Sequence, residues 1–100
     1  MNVTINKDGN NYQVILEGRV DTTNADQFQK DLAPLMNVEN AEITLDCSAM
    51  EYTSSQGLRT FLMLQKGVMA HHSKMVMTNM QPQVKEIFDI TGFSNIISII

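Results

Sequence analysis

Two adjacent hydroxyls, Ser54 and Ser55, with Gly57 just beyond them, are the residues of this chain best placed to do chemistry. They lie in Ile43–Leu64, ITLDCSAMEYTSSQGLRTFLML, which opens as an apolar strand, passes through a polar turn and enters a helix. A hydroxyl at a helix mouth can accept a hydrogen bond from a backbone N–H two or three residues on, which makes it a cap. The same place presents unpaired N–H groups and the positive end of the helix dipole, so it also tolerates a phosphate. The two uses are compatible, because a capping hydroxyl can rotate outward, and the pattern alone leaves both open. Gly57 removes a side chain from the first turn, which would let a partner or nucleotide come close.

Asp21, Thr22, Thr23 and Asn24 form the next polar group. They offer caps to a first helix. In a parallel sheet the loops leaving the C-terminal strand ends share one edge. A second strand leaving at Gly18 and a third leaving at Asp46 would therefore put Asp21 and Ser55 on one rim, where a partner could bind. His71 and His72 suggest a metal pair, but sequence neighbours do not face the same way on a helix and no Cys or carboxylate stands at zinc-like spacing. Asp46, read as a strand end, invites comparison with a phosphate-accepting receiver domain, yet the acidic pair and late lysine that chemistry needs cannot be assembled. G-x-S-x-G, G-x-G-x-x-G and G-x-x-x-x-G-K-[ST] are all absent, and neither His is an obvious base for Ser55. Each enzymatic reading lacks a necessary part. No catalytic residue, metal site or cofactor is expected.

The elements that must position these groups follow from patterning. Val3–Ile5 and Tyr12–Glu17 alternate on either side of Lys7-Asp8-Gly9-Asn10-Asn11, which predicts a hairpin with a loop longer than the tightest turns. Ala25, Phe28, Leu32, Leu35 and Met36 recur at helical spacing, and Pro34 predicts a bend or early stop. Ala41–Asp46 is a predicted strand with Ile43 and Leu45 inward, and Cys47–Thr53 a connection. Positions 58, 61, 62, 65, 68 and 69, widened by Met63 and Leu64, make one helical face, so the second helix should be the most buried. Lys74–Thr78 is a strand with Met75 and Met77 paired against Val76. Pro82 suits the first position of a third helix, and Gly92 its left-handed end. Asn95–Ile100 is a final strand. The order β-β-α-β-α-β-α-β implies an α/β domain with a largely parallel sheet and an antiparallel first hairpin.

Composition narrows the function classes. A chain of 100 residues with 43% hydrophobic and 18% charged residues is one globular domain. Seven Lys and Arg against eleven Asp and Glu give a formal charge of −4, which disfavours nucleic acid and anionic membranes as partners. One cysteine allows no internal disulfide. The start MNVTINKDGN lacks the basic and apolar segments of a signal peptide, and no apolar stretch approaches membrane-spanning length. The expected location is the cytoplasm.

Three segments, in order and nearly end to end, carry a family resemblance: LEGRVDTTNA (Leu16–Ala25), ITLDCSAMEYTSSQGLRTFL (Ile43–Leu62) and PQVKEIFDITGFSNIISI (Pro82–Ile99). The chain resembles the STAS domain of bacterial anti-sigma factor antagonists, over residues 1–100. The resemblance implies a small four- to five-stranded mixed sheet with helices wound on one side. It implies an antagonist that, unphosphorylated, binds an anti-sigma factor serine kinase and so releases a sigma factor. Phosphorylation of the serine before x-Gly-Leu ends that binding, and a metal-dependent serine phosphatase resets the switch. That serine is Ser55 here, with Ser54, where the family usually has Asp, as a rival hydroxyl. Asp21 matches an acidic residue near the family's partner surface. The implied surface takes in Asp21, Thr22, Thr23, Asn24, Tyr52, Thr53, Ser54, Ser55, Gln56, Gly57 and Arg59. Many members continue into a helix beyond the last strand, and its absence after Ile100 would leave part of one sheet face or edge less covered. The alternative is a STAS scaffold or interaction module without phosphorylation control; a hydrolase using Ser55 ranks below both.

Overall fold

The computed structural model describes all residues from Met1 to Ile100. The elements run β1 (Asn2–Asp8), β2 (Asn11–Val20), α1 (Ala25–Leu32), β3 (Glu42–Thr53), α2 (Ser55–Ala70), β4 (Lys74–Thr78), α3 (Pro82–Ile90) and β5 (Ser98–Ile99), with short 3₁₀ turns at Ala33–Asn37 and Phe93–Asn95. They form one five-stranded sheet in the order β1-β2-β3-β4-β5. Only β1 is antiparallel to its neighbour.

The hairpin turn is tighter than the sequence suggests. Asp8 pairs directly with Asn11, which leaves only Gly9 and Asn10 to turn the chain. Gly9 has φ +61°, a left-handed conformation open to a residue without Cβ. Lys7 and Asp8 are strand rather than loop because an edge strand can carry charge where it meets water. Pro34 acts as expected: α1 stops at Leu32 and the chain tightens into the first 3₁₀ turn.

One sheet face is apolar and the other mostly polar, with Ile15 and Val76 half-buried on it. Val14, Leu16, Ile43, Leu45, Met75 and Met77 point into a core shared with all three helices. Gln13, Glu17, Glu42 and Lys74 are exposed on the opposite face, and Thr44, Asp46 and Thr78 half-buried there. Each helix contributes one phenylalanine to a chain of ring contacts. Phe28 of α1 meets Phe61 of α2 edge-on with centroids 5.3 Å apart, and Phe61 lies 5.7 Å from Phe88 of α3.

Helix α2 buries the most side chains, but its inner face is turned from the expected one. Gly57, Leu58, Thr60, Phe61, Leu64 and Val68 are buried, whereas Met63 and Met69 are exposed and Leu62 is half-buried. Two glycines set this phase. A Cβ on Gly57 would lie 2.3 Å from Thr53 Oγ1 and 2.4 Å from Val20 Cγ1, and one on Gly67 would lie 2.6 Å from the Met36 carbonyl oxygen. The helix comes down on its neighbours where it has no side chain.

The largest departure concerns Cys47–Thr53, which is not a connection but the second half of β3. It pairs in parallel with Glu17–Val20, across register shifts between Ile15 and Glu17 and between Gly18 and Arg19. Each shift puts one extra residue in β3, which is a bulge. Asp46 therefore lies within the strand rather than at its end, and β2 leaves the sheet at Val20 rather than Gly18. The C-terminal end also differs: β5 is only Ser98–Ile99, because Phe93–Asn95 turns and Ile97 dips into the core.

Candidate functional site

Lengthened β2 and β3 end together. Val20 pairs with Thr53, and the Ser54 N–H donates to the Val20 carbonyl at 2.9 Å. The loop Asp21–Asn24 and the start of α2 therefore share one rim, carried beyond the place expected for it.

At the α2 start the two serines have different surroundings. Ser54 is the cap: its backbone is extended and its Oγ accepts from the Gly57 N–H at 3.3 Å. Ser55 is the first helical residue and is exposed. Its hydroxyl has no part in the cap. Thr53 is buried with its Oγ1 donating to the Ser54 carbonyl at 3.2 Å, and Gly57 is buried against Thr53 and Val20. Thr53 and Gly57 therefore face inward and offer a partner no side chain. Gly57 serves internal packing rather than outside approach, which corrects the expectation. Gln56 and Arg59 are exposed, and with Ala25, Asp26, Gln29 and Thr60 they line a small groove between α1 and α2.

The other side of the rim is ordered by Asp21. Its Oδ1 accepts from the Thr23 hydroxyl at 2.6 Å and from the Thr23 N–H at 2.9 Å. These bonds, helped by nearby Arg19, hold its carboxyl below the usual carboxylate range. Asn24 occupies the capping position of α1 but makes no capping bond. Its side chain turns back, accepting from the Asp21 N–H at 2.8 Å and donating to the Arg19 carbonyl at 2.9 Å. It staples the loop to β2. Thr22 and Thr23 are exposed on the loop's outer side.

Arg19 belongs to this rim and was missed by sequence reasoning. It pairs in register with Tyr52, holds its guanidinium 5.0 Å from the Tyr52 ring centroid, and lies 3.7 Å from the Asp21 carboxylate. Both side chains point away from the core, since their neighbours Val20 and Thr53 point into it. The only signal was register: without β3 reaching Thr53, nothing placed Arg19 beside Tyr52.

The other candidates stand apart. His71 and His72 follow the far end of α2, about 24 Å from Ser55 at the helical rise of 1.5 Å per residue. His71 Nδ1 lies 2.8 Å from the Gly67 carbonyl oxygen. Asp46 accepts from the Ser48 N–H at 3.0 Å, which lowers its pKa and ties it into the bulge. Burial and the neighbouring Asp46 push the Cys47 thiol up to about 12, so it is protonated at neutral pH.

The family model of the STAS domain matches residues 2–100. This chain belongs to the STAS domain family. Over 96 residues the STAS domain is 31% identical to BtrV of Bordetella bronchiseptica, assigned as an anti-sigma factor antagonist, covering 96% of this chain and 83% of BtrV. It is 28% identical over 99 residues to the anti-sigma-B factor antagonist of Bacillus subtilis, covering 99% and 90% of the two chains. Among solved structures, the anti-sigma factor antagonist SpoIIAA in its unphosphorylated form superposes with a TM-score of 0.79 at 14% identity, over 99% of this chain and 88% of that one. A Thermotoga maritima protein, also assigned as an anti-sigma factor antagonist, gives a TM-score of 0.85 at 17% identity, over 97% and 84%. At such identities the structural likeness speaks for the fold. No helix of the STAS domain is long and apolar enough to cross a membrane.

Proposed function

We propose that this STAS domain is a cytoplasmic anti-sigma factor antagonist that docks an anti-sigma factor serine kinase on the rim bearing Asp21 and Ser55. Phosphorylation of Ser55 ends the docking, and a serine phosphatase restores it. The relatives named as antagonists support the partner class. The observation that carries the switch is the division between the serines: Ser54 holds the helix cap, and Ser55 stands exposed beside it.

The chemistry asked of this chain is small. It supplies an acceptor hydroxyl, while the kinase supplies nucleotide, metal and base. A phosphoserine adds about −1.5 to −2 charge at neutral pH. Burying that charge in a close interface without a cation costs several kcal/mol, roughly. A loss of about 3 kcal/mol weakens binding more than a hundredfold. In the free protein the phosphate would lie at the positive end of α2, whose first turn carries no acidic residue. The switch therefore needs no rearrangement of the fold.

The test pairs modification with affinity. Incubation with the anti-sigma factor kinase and ATP is expected to add one phosphate, mapped by mass spectrometry to Ser55 and lost in Ser55→Ala. Ser55→Asp should bind the kinase far more weakly than wild type at unchanged melting temperature. Wild-type affinity in Ser55→Asp would instead favour a STAS interaction module without phosphorylation control.

A further inference from the structure

The groove between the starts of α1 and α2 holds a cation with no carboxylate partner. The chain's two ion pairs are Arg19 with Asp21 and Lys85 with Asp89. Arg59 is in neither, although Asp26 lines the same groove. Arg19, the rim's other cation, is engaged by Asp21 and by the Tyr52 ring.

Arg59 also has a fixed relation to Ser55. Both are exposed residues of α2 and stand four apart. Residues so spaced are neighbours on one helix face, about 5–6 Å apart at Cβ. The order, an acidic group four residues before a basic one, is the favourable orientation. A guanidinium also matches phosphate oxygens with two parallel N–H donors, which a lysine ammonium does not.

We infer that Arg59 is the intramolecular counter-ion of a phosphate on Ser55, so that modification adds charge at one position and withdraws a cation from the adjoining groove. This rests on the reading of Ser55 as the phosphorylated residue. A partner that meets Ser55 and the groove would then lose two features of the surface together. Asp26 lines the same groove as Arg59, and Asp21 stands on the loop of the same rim. Both act against the phosphate, which makes the one adjacent cation more consequential.

The inference can be tested with neither kinase nor partner. Phosphoserine is installed at position 55 during translation in the full chain, in wild type, Arg59→Gln and Arg59→Lys. The second ionisation of the phosphate is followed by ³¹P NMR, with circular dichroism verifying the fold. The helix dipole acts equally in all three proteins and cancels. The wild-type ionisation should lie at least about half a pH unit below that of Arg59→Gln, roughly a threefold difference in proton affinity. Arg59→Lys, which keeps the charge without the paired donors, should fall between. Equal values in wild type and Arg59→Gln would overturn the inference, as would Arg59→Lys behaving like Arg59→Gln. Since the phosphate is placed without enzyme, a failure here leaves the kinase reading standing, and a failed kinase assay leaves this measurement valid.

Discussion

Gly57→Ala should destabilise this STAS domain, although the same change at an open helix position stabilises. Ala is favoured over Gly in a helix interior by about 1 kcal/mol. Here the new methyl would lie 2.3 Å from Thr53 Oγ1 and 2.4 Å from Val20 Cγ1. Both are well inside the 3.5–4.0 Å or so of ordinary van der Waals contact. Neither neighbour can simply swing away. Val20 is fully buried, and Thr53 would lose its bond to the Ser54 carbonyl. Overpacking of this kind costs about 1–3 kcal/mol, and two clashes at once argue for the upper end. Subtracting the propensity gain leaves about 2 kcal/mol of net loss. For a domain of this size that is a fall of about 8–16 °C in melting temperature, measured by thermal denaturation followed by circular dichroism. Adding Val20→Ala should make room for the methyl, so the double variant should lose at least about 1 kcal/mol less than the two single losses added together. A Gly57→Ala protein melting at or above wild type would refute the reasoning: the helix would not rest on the strand ends, and the placement of Ser55 would need another cause.

The two serines should separate by stability. Ser54→Ala, which removes the cap, is expected to cost about 1 kcal/mol in urea denaturation, against less than about 0.5 for Ser55→Ala; the reverse order would exchange their roles. Asp21 should titrate by NMR below its ordinary midpoint of 3.8, and Thr23→Val, which removes the largest contributor, should raise it. Because the folded carboxyl is the stronger acid, its contribution to the loop is present above the ordinary pKa and is lost as pH falls through the lowered one. A midpoint that Thr23→Val does not move would show that the hydroxyl is not what holds the carboxylate.

Much of the architecture was legible because period and punctuation agreed. Tyr12–Glu17, Ile43 and Leu45, and Met75 and Met77 alternate as strands buried on one face should. Pro34, Pro82 and Gly92 broke, started and ended helices as their backbones require. What was not legible is the half of β3 in which alternation fails. Its inward residues are Ile43, Leu45 and Cys47 at a spacing of two, then Met50 and Thr53 at a spacing of three. Two bulges produce that change. A local pattern cannot distinguish a bulged strand from a loop, because the pairing that makes it a strand lies on β2, thirty residues away. The face of α2 failed for a related reason. Gly57 was read as an opening for a partner and Gly67 was not singled out, whereas each marks the centre of a contact with another element.

The same missed half-strand bears on the rim. Had β3 ended at Asp46, Tyr52 would sit in a loop, Arg19 would have no aromatic partner, and Ser54 would have no carbonyl on β2 to hold it. With the bulges, Val20 and Thr53 end the two strands side by side, and the next residue along bonds straight across to Val20. Asp21 and Ser55 are thereby held to one frame by the paired strand ends, the Ser54 bond to Val20, the Asn24 staple to Arg19 and the buried Gly57. Under the proposal that Ser55 is phosphorylated, that shared frame has a consequence. A phosphate there would act on whatever is docked at the rim and on the side chains within reach, of which Arg59 is the cation in neither of the chain's ion pairs.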